Sequence, residues 1–192
     1  MINNGKAALV AAALITMMSC AQKNETQTDS RYIGPSDIKV DDGRMTPEVL
    51  LSLGRLSDPQ LSPDGRWILY GVSYTSIEEN RSCRNLFLTE VTKNENGGFA
   101  FGDKVQLTAE GKSVSNARWS NDGKSIYYLQ GGQIFNSAIK IAGGKASLSD
   151  RKQISDIEAG IGEFSLSPDQ TQVLYTSTIP GAVKTPKDFD EK

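Results

Sequence analysis

The sequence predicts an all-β chain built from a repeated strand–turn–strand unit and preceded by one short helix. Three observations carry this. A polar turn occurs three times, as Ser62-Pro63-Asp64-Gly65, Ser120-Asn121-Asp122-Gly123 and Ser167-Pro168-Asp169-Gln170. Each copy follows a large apolar residue (Leu61, Trp119, Leu166) and precedes a strand-forming run, such as Trp67-Ile68-Leu69-Tyr70. The turn aspartates lie 58 and then 47 residues apart, and a four-stranded propeller blade takes about 40–45 residues. Each interval therefore holds one blade and a longer loop. The expectation is a partial β-propeller of about two and a half four-stranded blades.

The totals exclude more than they include. The 192 residues carry a formal net charge of −2, which offers nucleic acid no basic footprint. There is no histidine. A Ser-His-Asp or Cys-His machine cannot be completed from this chain alone, nor can a His-ligated metal site. The cysteines are Cys20 and Cys83, and no disulfide framework is expected. No catalytic residue, metal site or cofactor is assigned.

Residues 1–20 read as an export signal. Lys6 supplies the positive region, and Ala7 to Met18 is apolar or small apart from Thr16. The run is short for a membrane span, which needs about 20 apolar residues. Ser19-Cys20 at its end resembles a bacterial lipobox, with Met17 where Leu is usual. On that reading Cys20 is the lipidation site, and several acyl tails anchor the chain stably to a membrane. The chain is then exported, to the periplasm or outer membrane. An ordinary cleaved signal with an incidental Cys is the alternative. Residues 21–44 are polar and aperiodic and read as a tether.

Met45 to Gly54 reads as the helix. Thr46 suits the N-cap, Pro47 the first helical position and Glu48 the positive end of the dipole. Val49, Leu50 and Leu53 share a face expected to sit against the first blade, and Gly54 reads as the C′ residue. Residues 45–192 form the incomplete propeller domain. Its first blade takes Asp58–Ser62, Trp67–Tyr74, Asn85–Val91 and Lys104–Leu107 as strands. The second takes Ser115–Trp119, Ser125–Leu129, Gln133–Ile141 and Lys152–Ile154, with a hairpin turn at Gly131-Gly132. The third begins with Glu163–Ser167 and Gln172–Thr178, and its pattern breaks off at Ile179-Pro180-Gly181. Nearly every residue from Trp67 to Val72 is apolar, so both faces of that strand should be covered.

The run from Met45-Thr46-Pro47-Glu48 through Leu53-Gly54-Arg55-Leu56-Ser57-Asp58-Pro59-Gln60-Leu61-Ser62-Pro63-Asp64-Gly65-Arg66-Trp67 resembles the start of the propeller in the prolyl oligopeptidase family of serine peptidases. With Ser73–Asn80 and Arg84–Phe87, it is most similar to exported dipeptidyl-peptidase and acylaminoacyl-peptidase-like members of Bacteroidetes type. The turn alone is shared with TolB-like propellers. The resemblance implies a propeller capping an α/β-hydrolase domain, which carries Gly-x-Ser-x-Gly followed by Asp and His. This chain has neither that elbow nor a histidine. The implied role is therefore the gating half of a peptidase, acting on short peptides within a complete parent protein, for which a homodimer is open. The alternative is a lipid-anchored TolB-like binding module without peptidase activity.

Several residues invite a functional reading. Glu78 and Glu79, paired on a loop after a strand, are candidates for holding the α-ammonium group of a peptide. Paired glutamates do this in dipeptidyl peptidases of the family, though on a different blade, so the role is not transferred. A solvated loop is the plainer reading. Asp64, Asp122 and Asp169 read as turn formers through their side chains, and Trp67 and Trp119 as core. Cys83, beside Arg81 and Arg84, reads as an idle surface or loop thiol.

Overall fold

The computed structural model describes residues 32–40 and 42–178. The expected signal segment, Cys20, the first part of the tether and residues 179–192 lie outside the described residues.

The helix α1 spans Pro47–Ser52. The Thr46 hydroxyl accepts a hydrogen bond from the Val49 amide at 3.3 Å, as an N-cap should. The helix is shorter than its sequence pattern suggests, because Leu53 already leaves it extended (φ −68°, ψ 132°). Gly54 is therefore no left-handed C′ residue. It is required for a different reason: a Cβ there would lie 2.7 Å from the Tyr74 ring. The expected burial of the helix face also fails. The helix lies against the first blade, yet Leu50 and Leu53 stay 51% and 48% exposed.

Five strands make the first sheet: β1 (Arg55–Leu61), β2 (Trp67–Ser76), β3 (Arg81–Lys93), β4 (Phe99–Phe101) and β5 (Val105–Gln106). They are antiparallel in the order β1-β2-β3, with β5 on β3 at Phe87 and Leu88. The unexpected β4 extends the far end of β3 at Val91–Lys93. The second sheet runs β6 (Val114–Trp119), β7 (Ser125–Gln130), β8 (Gln133–Ala142), β9 (Lys145–Gln153) in sequence order. The hairpin of β10 (Glu163–Leu166) and β11 (Val173–Thr176) starts a third unit. The chain is thus an all-β partial propeller: two blades and the opening hairpin of another.

Gly131-Gly132 forms the anticipated two-residue turn, both residues having positive φ (59° and 73°), with Gln130 paired to Gln133. A second such turn closes at Gly143-Gly144 (57° and 71°), between Ala142 and its partner Lys145. It starts β9 at Lys145, so the fourth strand is longer than Lys152–Ile154.

Packing follows the blades. Leu69, Leu86 and Leu88 of the first meet Val114, Ala117, Trp119, Ile126 and Tyr128 of the second, with Trp67 against them. Leu129 and Ile134 then meet Ile161 and Phe164 of the third unit. Each fully buried aliphatic side chain contributes about 1.5–3 kcal/mol. The other face of the first blade presents Val72, Tyr74, Cys83 and Phe87, and Ile33 covers it. The β2 run is therefore covered on both faces, but one cover comes from the stretch read as a tether. Tyr32 fixes that stretch further by donating its hydroxyl hydrogen to Gln106 Oε1 at 3.1 Å. Cys83 is no surface or loop thiol: it lies in β3 and is fully buried.

A deeper repeat appears across strands. Tyr70 stacks on Phe87 at 6.0 Å and Tyr128 on Phe135 at 5.9 Å, each pair in register between the second and third strands of its blade. Lys104 lies over the first phenylalanine and Arg151 over the second. The same cation–aromatic lid closes both blades.

Candidate functional site

The three polar turns share one geometry. Ser62 Oγ donates to Asp64 Oδ1 at 2.6 Å and accepts from the Trp67 amide at 2.9 Å, while Asp64 Oδ1 accepts from the Arg66 amide at 3.1 Å. Ser120 and Asp122 repeat this with Ser125 and Lys124, and Ser167 and Asp169 with Gln172 and Thr171. The serine hydroxyl, then the following backbone N–H, hold each aspartate carboxyl below the usual carboxylate range. These carboxylates are used up in closing their turns.

Glu78 and Glu79 occupy the tip of the β2–β3 hairpin, between Ser76 and its partner Arg81. The loop closes because Asn80 takes a left-handed conformation (φ 46°) and donates its amide to Ile77 O at 3.2 Å. The two carboxylates are not equivalent. Glu79 is tied to Arg81 at 2.8 Å, and Arg81 also donates to Gly111 O. Glu78 is exposed. Both line a cavity of about 360 Å³ with Tyr32, Ile33, Ser36, Ile38 and Ser52. The pair thus offers one open carboxylate and one neutralised by a guanidinium.

A second cleft, of about 460 Å³, lies where the first strands of the three units meet. Asp58 sits at a β1 irregularity with φ 52°, and Asn116 at the matching place in β6 with φ 50°. Aspartate and asparagine tolerate this left-handed region better than most residues. The bulge points Asp58 at the neighbouring blade, where Arg118 Nη1 donates to its two oxygens at 3.0 and 2.8 Å. Asn116 makes the next link, donating Nδ2 to Phe164 O at 2.7 Å. Arg84 reaches the same cleft from β3. Its side chain lies across Gly71, where a Cβ would fall 2.1 Å from Nε, so only glycine leaves it room. Its Nη2 is 4.0 Å from Asp58, and its buried Nε has no hydrogen-bond partner among the described residues. Burial, and then the Arg118 charge, lower the Arg84 pKa while Asp58 opposes them. One carboxylate serves two guanidinium groups here.

No protein-family model matches the chain. Similar proteins are nonetheless found. Dipeptidyl-peptidase 5 of Porphyromonas endodontalis is 33% identical over 135 residues, covering 70% of this chain and 18% of that protein. Dipeptidyl-peptidase 5 of Porphyromonas gingivalis is 34% identical over 143 residues, covering 73% and 19%. The chain is related to these peptidases. An uncharacterized peptidase, YuxL, of Bacillus subtilis is 25% identical over 138 residues. The chain spans about a fifth of the length of the curated relatives it matches.

For a peptidase relative, the charged cleft is the feature that sequence reading missed. Asp58, Arg84 and Arg118 are spread over 60 residues and carry no motif. The one signal was the repeated offset: Asp58 and Asn116 both stand six residues before a turn aspartate. Both are residue types suited to a left-handed bulge.

Proposed function

We propose that this chain is the propeller portion of an exported peptidase, and that it admits and orients short peptides for a hydrolase domain supplied by the rest of the parent protein. The observation that carries the reading is the pairing of a partial propeller with peptidase relatives of which it spans about a fifth. A chain without histidine cannot complete a Ser-His-Asp triad alone. Its part in the reaction is selection by access: blades set side by side present their first strands, and polar groups on them, to a passing peptide. Glu78 is the proposed contact for a peptide ammonium group at the hairpin tip, with Glu79 held back by Arg81. Cys20 is proposed as the lipid anchor that keeps the parent at the membrane, in the periplasm or outer membrane.

The test is to recover the protein from cells that produce it, using an antibody raised against residues 45–178. The expected species is several times larger than the 20.8 kDa of this chain. It should release dipeptides from chromogenic substrates and react with a fluorophosphonate serine probe. A species of the size of this chain, lacking both activities in every fraction, overturns the proposal and favours a binding module. Labelled palmitate should enter the wild type and not Cys20→Ala; equal labelling overturns the anchor.

A further inference from the structure

We infer that the cleft between the first strands is a binding site for the two charged ends of a short peptide, its α-carboxylate on Arg84 and Arg118 and its α-ammonium group on Glu163. The choice of a peptide rests on the function proposed above; the charge pattern rests on the cleft itself.

The cationic side is built and under-compensated. Arg118 and Arg84 share Asp58, with contacts at 2.8 and 4.0 Å, so the trio keeps one net positive charge. Arg84 is held over Gly71 with its side chain 20% exposed, and its remaining contact, Nη2 to Ser57 O, is long at 3.5 Å. A planar guanidinium that is fixed in place and poorly paired is suited to a carboxylate ligand, because little side-chain freedom is lost on binding. Burial first, and the Arg118 charge after it, disfavour the Arg84 cation, and an incoming anion beside it offsets that cost. Across the same cleft, Glu163 is exposed on β10, and its carboxylate has no partner among the described residues. Ser115 adds a hydroxyl. A volume of about 460 Å³ accommodates a dipeptide-sized ligand. The lining thus sets a cation pair that shares Asp58, and a second carboxylate on Glu163, around one space, which matches a molecule with charged termini and not a simple anion.

The test uses the full chain labelled with ¹⁵N and three probes: Ala-Ala, its C-terminal amide and its N-acetyl form. Ala-Ala should give saturable shifts at the amides of residues 115–118 and 162–165. The amide and the N-acetyl form should each bind about tenfold more weakly, as for loss of a charge-assisted contact. Glu163→Gln, at an exposed position, should weaken Ala-Ala to the level of the N-acetyl form. Arg84→Gln should weaken it to the level of the amide, with melting temperature recorded to establish that it folds. The probe comparison on the unsubstituted chain decides the matter even where that variant does not fold. Equal binding of the three probes, shifts confined elsewhere, or no saturable shift overturns the inference. If that happens while the recovered parent still hydrolyses dipeptidyl substrates, the inference alone falls and the proposed function stands.

Discussion

Gln170 bonds both sides of the neighbouring turn: its Nε2 donates to Trp119 O and its Oε1 accepts from the Asn121 amide, each at 2.9 Å. Asn121 returns a bond from Nδ2 to Pro168 O at 2.7 Å. In the first two repeats the corresponding residue is glycine, Gly65 or Gly123, with φ near 70°. Gln170 adopts the same left-handed region (φ 56°) against its own steric preference. The third repeat accepts that strain because the side chain ties one unit to the next.

Substitutions here separate the two effects. Gln170→Gly relieves roughly 1 kcal/mol of backbone strain but loses two hydrogen bonds of about 1 kcal/mol each, for a net loss of about 1 kcal/mol. Gln170→Ala keeps the strain and should lose about 2 kcal/mol. Urea unfolding monitored by circular dichroism measures both. Alanine proving the milder change would show that the left-handed backbone carries no strain, and no loss in either variant would show that the side-chain bonds contribute nothing.

The cross-blade pair of Asp58 and Arg118 should be worth more than a surface ion pair. Its members are 25% and 32% exposed, and Arg84 shares the carboxylate. Asp58→Asn preserves a residue that tolerates positive φ, yet leaves two guanidinium groups uncompensated. The expected loss is about 1–3 kcal/mol, between surface and buried cases. It should be partly recovered in Asp58→Asn/Arg84→Gln. A double variant no more stable than the single would place the cost in bulge geometry.

Stability should fall in acid through the three turns. The folded-state pKa values of Asp64, Asp122 and Asp169 are lowered by their serine hydroxyls and backbone N–H groups. Each group therefore contributes stability that is complete above the unfolded value of about 3.9 and is lost as pH falls through the lower folded value. Melting temperature should drop steeply below about pH 4. A variant with all three aspartates changed to asparagine should have a flatter profile there. An identical acid limb in that variant would assign the effect to other carboxylates.

Hydrogen exchange should rank the sheets. Leu69, Leu86 and Leu88 are fully buried between blades, whereas Val173, Leu174 and Tyr175 of β11 are 40%, 78% and 44% exposed. Exposed edge strands open by local fluctuation. Amides of β11 should exchange well before those of β2 in the monomeric chain. Equal protection of the two strands would mean that β11 is covered in solution.

The sequence alone determined what is local. Ser-x-Asp turns close over two to five residues through their own side chains, so the repeat showed them directly. A run of strand-forming residues after each turn placed Trp67–Tyr74 and Ser125–Leu129, and the Gly131-Gly132 pair placed a hairpin. The paired Glu78 and Glu79 were legible as a loop, because Asn80 and the flanking strands define it. The tertiary structure decided everything that joins distant segments. Ile33 seals the first blade from a polar stretch whose few apolar residues carry no period. Leu50 remains exposed although its spacing marks a helix face, since periodicity reports a face and not its cover, and Leu53 lies beyond the end of the helix. Arg81, which pairs locally with Glu79, is also bonded to Gly111 O from 30 residues away. Asp58 meets Arg118, and Gln170 meets Trp119, at separations of 60 and 51 residues. Such contacts exist only after the blades stack, because a pattern of two or 3.6 residues specifies which way a side chain points but not which strand will lie opposite it.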